Sequence, residues 1–169
     1  MYFLGIDLGS SSIKLSLLDA DKGRIIGSVT APEFEMEMIA PKFGWAEQHP
    51  EKWWQYVKQG LGELKQKGLD IKKIKGIGIA YQMHGLVLTD ENLEPVRSSI
   101  IWCDSRAAEI GNAACKEIGL ENCQKQILGS PGNFTASKLK WVKENEPQIF
   151  AKAKYMMLPG DYIAAKLSK

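Results

Sequence analysis

The chain has 169 residues, enough for one ordinary domain with its own core but short for a two-lobed enzyme. Hydrophobic residues make up 44% and charged residues 25%, the profile of a globular protein and not of a disordered tail. Lys and Arg number 22 against 20 Asp and Glu, and a net charge of +2 argues against a dedicated nucleic-acid surface.

Residues 2–8, 12–19 and 24–31 read as three strands. A tight Gly9-Ser10-Ser11-Ser12 turn joins the first two, and Ala20-Asp21-Lys22-Gly23 is a hairpin signal between the next two, so the opening is an antiparallel meander. From Ala31 to Gln48, prolines, Gly44 and mixed polarity predict a loop. A helix starts near Pro50, with Trp54, Val57, Leu61 and Leu64 on one face, and Gly68 stops it. Gly60 and Gly62 weaken that helix. Residues 74–81 read as a strand with Ile77, Ile79 and Tyr81 on one face. Gly76, Gly78 and Ala80 lie on the other, a surface small enough for another layer to approach. Shorter strands are expected at 86–89 and 98–102, around a turn at Asp90-Glu91-Asn92. A helix fits 105–118, with Ala107, Ile110, Ala114 and Ile118 inward. Helices at 135–145 and 160–167 flank a short strand at 154–158. Three antiparallel strands followed by alternating helices and strands predict a mixed-sheet α/β domain.

Cys103, Cys115 and Cys123 are an odd, loosely spaced set, which predicts free thiols in a reducing compartment. With only two histidines in addition, a zinc site is not expected. No basic leader precedes Asp7 and no apolar run is long enough to cross a bilayer, so a cytoplasmic location and no membrane partner are expected. Asn133-Phe134-Thr135 fits the glycosylation pattern but has no use without secretion.

The first chemical signal runs from Asp7 to Lys14, Asp-Leu-Gly-Ser-Ser-Ser-Ile-Lys. Gly9 permits close backbone approach, and the serines add hydroxyls beside backbone N–H groups, so the turn could surround phosphate oxygens. Asp7, at the end of a strand expected to be buried, needs a partner, and a hydrated Mg²⁺ suits a lone carboxylate. Lys14 adds a point charge. The same residues also make an ordinary hairpin whose Asp and Ser cap their own backbone. The second signal, Gln82-Met83-His84-Gly85, follows a strand end, where α/β sheets bind ligands. Gln82 and His84 can hydrogen-bond a hydroxyl, and Met83 can lie on a carbon face. A loop cap and a core methionine are the plainer alternative.

These runs resemble motifs of the FGGY carbohydrate kinases, and Asp7–Lys14 is similar to that family's amino-terminal phosphate motif. The resemblance assigns Asp7 to Mg²⁺ binding and catalysis, and Gly9, Ser10, Ser11, Ser12 and Lys14 to the ATP phosphates. Gln82-Met83-His84-Gly85 resembles the xylulokinase version of its segment; glycerol kinases carry Arg-Glu where Met83-His84 stand. Ile100 to Arg106 resembles a further stretch, in which Asp104 and Arg106 line the substrate cleft or brace it by an ion pair. Asp104 could equally cap a helix, and Trp102 could be core. Phe134 to Val142 resembles a helix entry in which Ser137 replaces the usual Pro, and Leu158-Pro159-Gly160-Asp161-Tyr162 matches a structural landmark.

The resemblance covers essentially the whole chain. It implies the ribonuclease-H-like fold of the actin, Hsp70 and sugar-kinase ATPases. It also implies that residues 1–169 are an amino-terminal lobe, with the second lobe and the aspartate base lying beyond Lys169. The expected reaction of a complete enzyme is ATP-dependent phosphorylation of D-xylulose to D-xylulose 5-phosphate, with the isolated lobe inactive. His84 is conceivable as a substitute base, subject to geometry. A lobe standing alone would expose apolar surface and favour a homodimer. A non-catalytic sugar- or nucleotide-binding module of the same fold, and a kinase for gluconate, ribulose or glycerol, remain the competing readings.

Overall fold

The computed structural model of the chain describes residues 1–168, which divide into two compact units. The first comprises residues 1–37, 50–82 and the segment from Pro159 onward. The meander forms as expected: β1 (Tyr2–Leu8) pairs antiparallel with β2 (Ile13–Asp19), and β2 with β3 (Arg24–Ala31). In the second unit, β4 (Glu47–Gln48) is two residues long. In the first, α1 (Pro50–Gln66) leads to β5 (Ile74–Tyr81), which lies parallel to β1 and completes a mixed four-stranded sheet in the order β3-β2-β1-β5.

Alternation decides what each face of this sheet carries. Leu4, Ile6 and Leu8, with Ile13, Leu15 and Leu17 opposite, are buried. Helix α1 packs on β2 and β3, burying Trp53, Val57, Gly60 and Leu64. Val57 and Leu64 of the expected face are buried, but Trp53 and Gly60 stand in place of Trp54 and Leu61; the glycine carries no hydrophobic signal. Gly60 sits there because a Cβ would stand 2.8 Å from Leu15 and 3.2 Å from Val29. The other face presents Phe3, Gly5, Asp7, Lys14, Gly78 and Ala80, all exposed. Between them lies a shallow, open concavity of about 520 Å³. At the end of the described chain, α6 (Pro159–Leu167) packs beside β5, with Gly160 under the Tyr81 ring, where a Cβ would approach within 2.1 Å.

The second unit comprises residues 38–49 and 83–158. Its strands are short: β4 pairs with β7 (Ser99–Ile100), and β6 (Val87–Thr89) with β8 (Tyr155–Met157). Four helices surround them: α2 (Ala108–Ile118), α3 (Leu120–Ile127), α4 (Thr135–Asn145) and α5 (Pro147–Lys152). Leu86, Leu88, Ile100 and Val142 form the core. Helix α2 starts three residues later than expected; Ala107 is inward as expected, but beyond it the buried positions shift by one, from Ile110 and Ala114 to Gly111 and Cys115. Ala107, Gly111 and Cys115 are buried, while Ile118 is exposed. Gly111 faces Gly132, and a Cβ on it would lie 2.3 Å from the Gly132 backbone. Helices α3 and α5 have no stripe to read. Only Cys123 of α3 is buried, and α5 is a six-residue helix begun by a proline. All three cysteines are free. No helix among the described residues is long and apolar enough to cross a membrane.

The contrast between two glycines of α1 is testable. Gly60→Ala is expected to lower the urea unfolding free energy by about 1–3 kcal/mol through overpacking. Gly62→Ala, whose Cβ would meet nothing within 4 Å, should raise it by about 0.5–1 kcal/mol through helix propensity.

Candidate functional site

The expected phosphate turn closes by a hydrogen bond from Gly9 N–H to Ser12 O at 3.1 Å. A Cβ on Gly9 would stand 2.9 Å from that same oxygen, so the turn needs glycine. The Ser11 hydroxyl donates to Glu35 at 2.9 Å, and Ser11 O accepts from Met36 N–H, which ties the turn to the segment after β3. Asp7 is not buried as expected. It lies on the open face of the sheet with its side chain 58% exposed. Its cross-strand partner is Lys14, whose Nζ is 4.0 Å from the carboxylate. An exposed pair at that distance contributes little to stability. Gln82 N–H donates to Leu8 O at 2.9 Å, extending the β1–β5 ladder by one rung. The first residue of the second motif therefore emerges beside the end of β1.

Met83 and His84 belong to the second unit. Met83 is 64% exposed, which rules out the core alternative. His84 has φ +58°, a left-handed conformation that a residue with a Cβ adopts at a cost. Its ring stacks on Phe134 with centroids 4.6 Å apart and an interplanar angle of 14°. Burial, reinforced by the nearby Lys138 ammonium, pushes the His84 pKa below its ordinary value.

Asp104 and Arg106 are deeply buried, with side chains 0% and 1% exposed. Asp104 accepts from Ala46 N–H, Arg106 N–H and the Arg106 guanidinium, so both of its oxygens are occupied within the protein. Arg106 also reaches Glu47 at 2.7 Å and stacks on the Trp45 ring at 3.8 Å. The two side chains form the ion pair that the bracing role requires. Asp104 accepts from the N–H two residues on and does not cap α2, which begins at Ala108. Trp102, a possible core residue, is 45% exposed. Ser137, standing where the resemblance expects proline, donates its hydroxyl to Pro131 O at 2.7 Å and fixes the same entry by a hydrogen bond.

Sequence reasoning passed over Lys138. It sits in the second turn of α4, fully buried, with Nζ donating to His84 O at 2.9 Å and Ile101 O at 3.0 Å. A signal was present: Lys138 precedes the buried Val142 by one helical turn and so occupies a core position. Burial lowers its pKa to about 8; Asp104 and Cys103 oppose that shift and Arg106 adds to it.

The description "FGGY family of carbohydrate kinases, N-terminal domain" matches residues 2–169. The chain belongs to this family. A protein named xylulose kinase from Klebsiella pneumoniae is 34% identical over 98% of the chain and 33% of its own length. A crystal structure of a xyloylose kinase from Brucella ovis superposes with a TM-score of 0.85 at 31% identity, covering 97% of this chain and 34% of that one. A gluconate kinase from Lactobacillus acidophilus gives 0.81 at 27% identity, covering 96% and 32%. The chain thus spans about a third of the length of the curated relatives it matches.

The Lys138 environment predicts a pH dependence. Between its folded pKa of about 8 and its ordinary 10.5, the unfolded chain binds more protons at this site, so stability contributed by Lys138 rises with pH. Relative to Lys138→Met, the wild type is expected to gain on the order of 3 kcal/mol of unfolding free energy from below pH 8 to above pH 10.5. Urea unfolding of both proteins across that range measures the difference.

Proposed function

We propose that residues 1–169 are the amino-terminal lobe of an ATP-dependent sugar kinase with the ribonuclease-H-like fold. In this reading the second lobe and the aspartate base are on polypeptide outside this chain, and the sugar is D-xylulose, converted to D-xylulose 5-phosphate. One observation carries it. Asp7 and Gln82 stand at the carboxyl ends of two adjacent parallel strands, joined by the Gln82–Leu8 hydrogen bond, where α/β sheets bind their ligands. Family membership and the relatives named xylulose kinase support the chemistry and the sugar.

The donor set fits the cofactors. Asp7 is a single exposed carboxylate, and no cluster of three His, Cys, Asp or Glu side chains exists among the described residues. That suits Mg²⁺, which keeps several waters and shares phosphate oxygens, and not a cation held in an all-protein cage. Asp7 would hold the hydrated Mg²⁺, and Gly9, Ser10, Ser11, Ser12 and Lys14 would face the ATP phosphates. Bound Mg-ATP supplies the phosphoryl group and neutralises its developing charge. Gln82 and His84 would hydrogen-bond sugar hydroxyls, with Met83 against the carbon chain, while Asp104 and Arg106 keep their segment in place. The proposal includes a cytoplasmic location and, for the lobe alone, a homodimer through exposed apolar surface. Likeness to the gluconate kinase supports gluconate as the second choice of substrate.

Two measurements test this. With ATP and D-xylulose, the purified chain should release no appreciable ADP; normal turnover would place a base within it. In a thermal-shift comparison of D-xylulose, D-ribulose, gluconate and glycerol, D-xylulose should stabilise most, and His84→Ala should abolish the effect. Mg-ATP should stabilise the wild type but not Asp7→Asn. A response to gluconate alone would replace D-xylulose as the substrate, and no response to Mg-ATP would remove the kinase reading.

A further inference from the structure

Resting on the reading of His84 as a sugar contact, we propose that Lys138 is a positioning residue for the sugar site, its ammonium holding the His84–Gly85 turn in place from beneath. A buried ammonium is an expensive way to fill space, and an apolar side chain of similar volume would cost less. The expense is explained by what the nitrogen touches. An ammonium has three N–H donors, and here two of them go to the carbonyls of His84 and Ile101. Those residues flank the bridge between Leu86 and Ile100, at the point where two chain segments part. One leads back to Met83 and the other on to Trp102. Lys138 staples the fork.

The turn it holds would not keep its shape unaided. His84 is left-handed without being glycine, so the surroundings must impose that conformation. Helix α4 and the residue before it supply three restraints. They are the Phe134 ring stacked on the imidazole, Thr135 Oγ1 at 3.5 Å from Gly85 O, and Lys138 Nζ on His84 O.

Charge gives the arrangement a second effect. Asp104 and Cys103 favour the charged form of Lys138, and Arg106 disfavours it. The imidazole in turn feels Lys138 as its charged neighbour, which discourages protonation. A neutral imidazole offers one donor and one acceptor nitrogen, matching a sugar hydroxyl that both gives and receives.

The test uses the isotopically labelled chain and follows the His84 imidazole by NMR, with His49→Gln removing the other histidine signal. In the wild type, His84 should titrate below its ordinary pH, and its ring should show cross-relaxation with Phe134. Lys138→Arg, which keeps the charge, should preserve the low midpoint. Lys138→Gln, which keeps a donor but loses the charge, should move the midpoint upward. Lys138→Met should move the midpoint upward and also lose the Phe134 contact, while circular dichroism shows the helices intact. A His84–Phe134 contact that survives unchanged in Lys138→Met overturns the proposal. D-xylulose added to the same samples separates the two readings. If the coupling is present but no sugar responds, the substrate assignment fails and the positioning role stands.

Discussion

Asp104 is a fully buried carboxylate, and much of the second unit is arranged to make that tolerable. An ionised group at full burial survives only if its lone pairs are taken up by donors. Ala46 N–H, Arg106 N–H and the Arg106 guanidinium take them. Satisfying Arg106 draws in Glu47, satisfying Glu47 draws in Arg97, and Arg97 reaches Glu146 at the end of α4. The chain of pairs ties three stretches distant in sequence. This unit's strands are two or three residues long, too short for backbone ladders to supply that cohesion. Hydrophobic replacements could give equal stability, but they would not fix where Ile101 O lies, and Lys138 is seated on that oxygen.

The first unit solves the opposite problem. Its strands are seven or eight residues long, its core is aliphatic side chains with Trp53 and Tyr162, and α1 supplies one cover. Stability does not require Asp7 or Lys14, which stand on the uncovered face. Exposed charges that contribute little to folding can change without cost to the core, because other residues hold these strands rigid.

How far the sequence could be read follows from this difference. The meander, the long helix and the strand at 74–81 were legible because alternation and turn chemistry act locally; the parallel pairing of that strand with β1 was not. The two inward faces were misjudged by one position where a glycine held the central place: Gly60 in α1 and Gly111 in α2 are buried for closeness, which hydrophobic periodicity cannot register. Helices α3 and α5 were missed because they bury too little to leave a stripe. The motifs at Asp7–Lys14 and Gln82–Gly85 were visible as chemistry. Whether Asp104 and Arg106 face a ligand or each other depends on packing partners 58 residues away at Ala46, and no local pattern carries that. Lys138 was hidden because a lysine on a helix is ordinarily solvated.

The contact between Gly111 and Gly132 carries an evolutionary consequence. Two backbones touch where α2 meets the short turn before α4, with no room for a methyl group on Gly111. The constraint runs one way: a side chain at 111 demands that the 131–133 turn retreat, whereas a Cβ on Gly132 would meet Ala108 at 3.3 Å, and that turn leads directly to Phe134 and into the helix bearing Lys138. A constraint on the His84–Phe134 stack thereby extends to a glycine of a neighbouring helix, and a lineage that changes it must reshape the turn that leads to the ring.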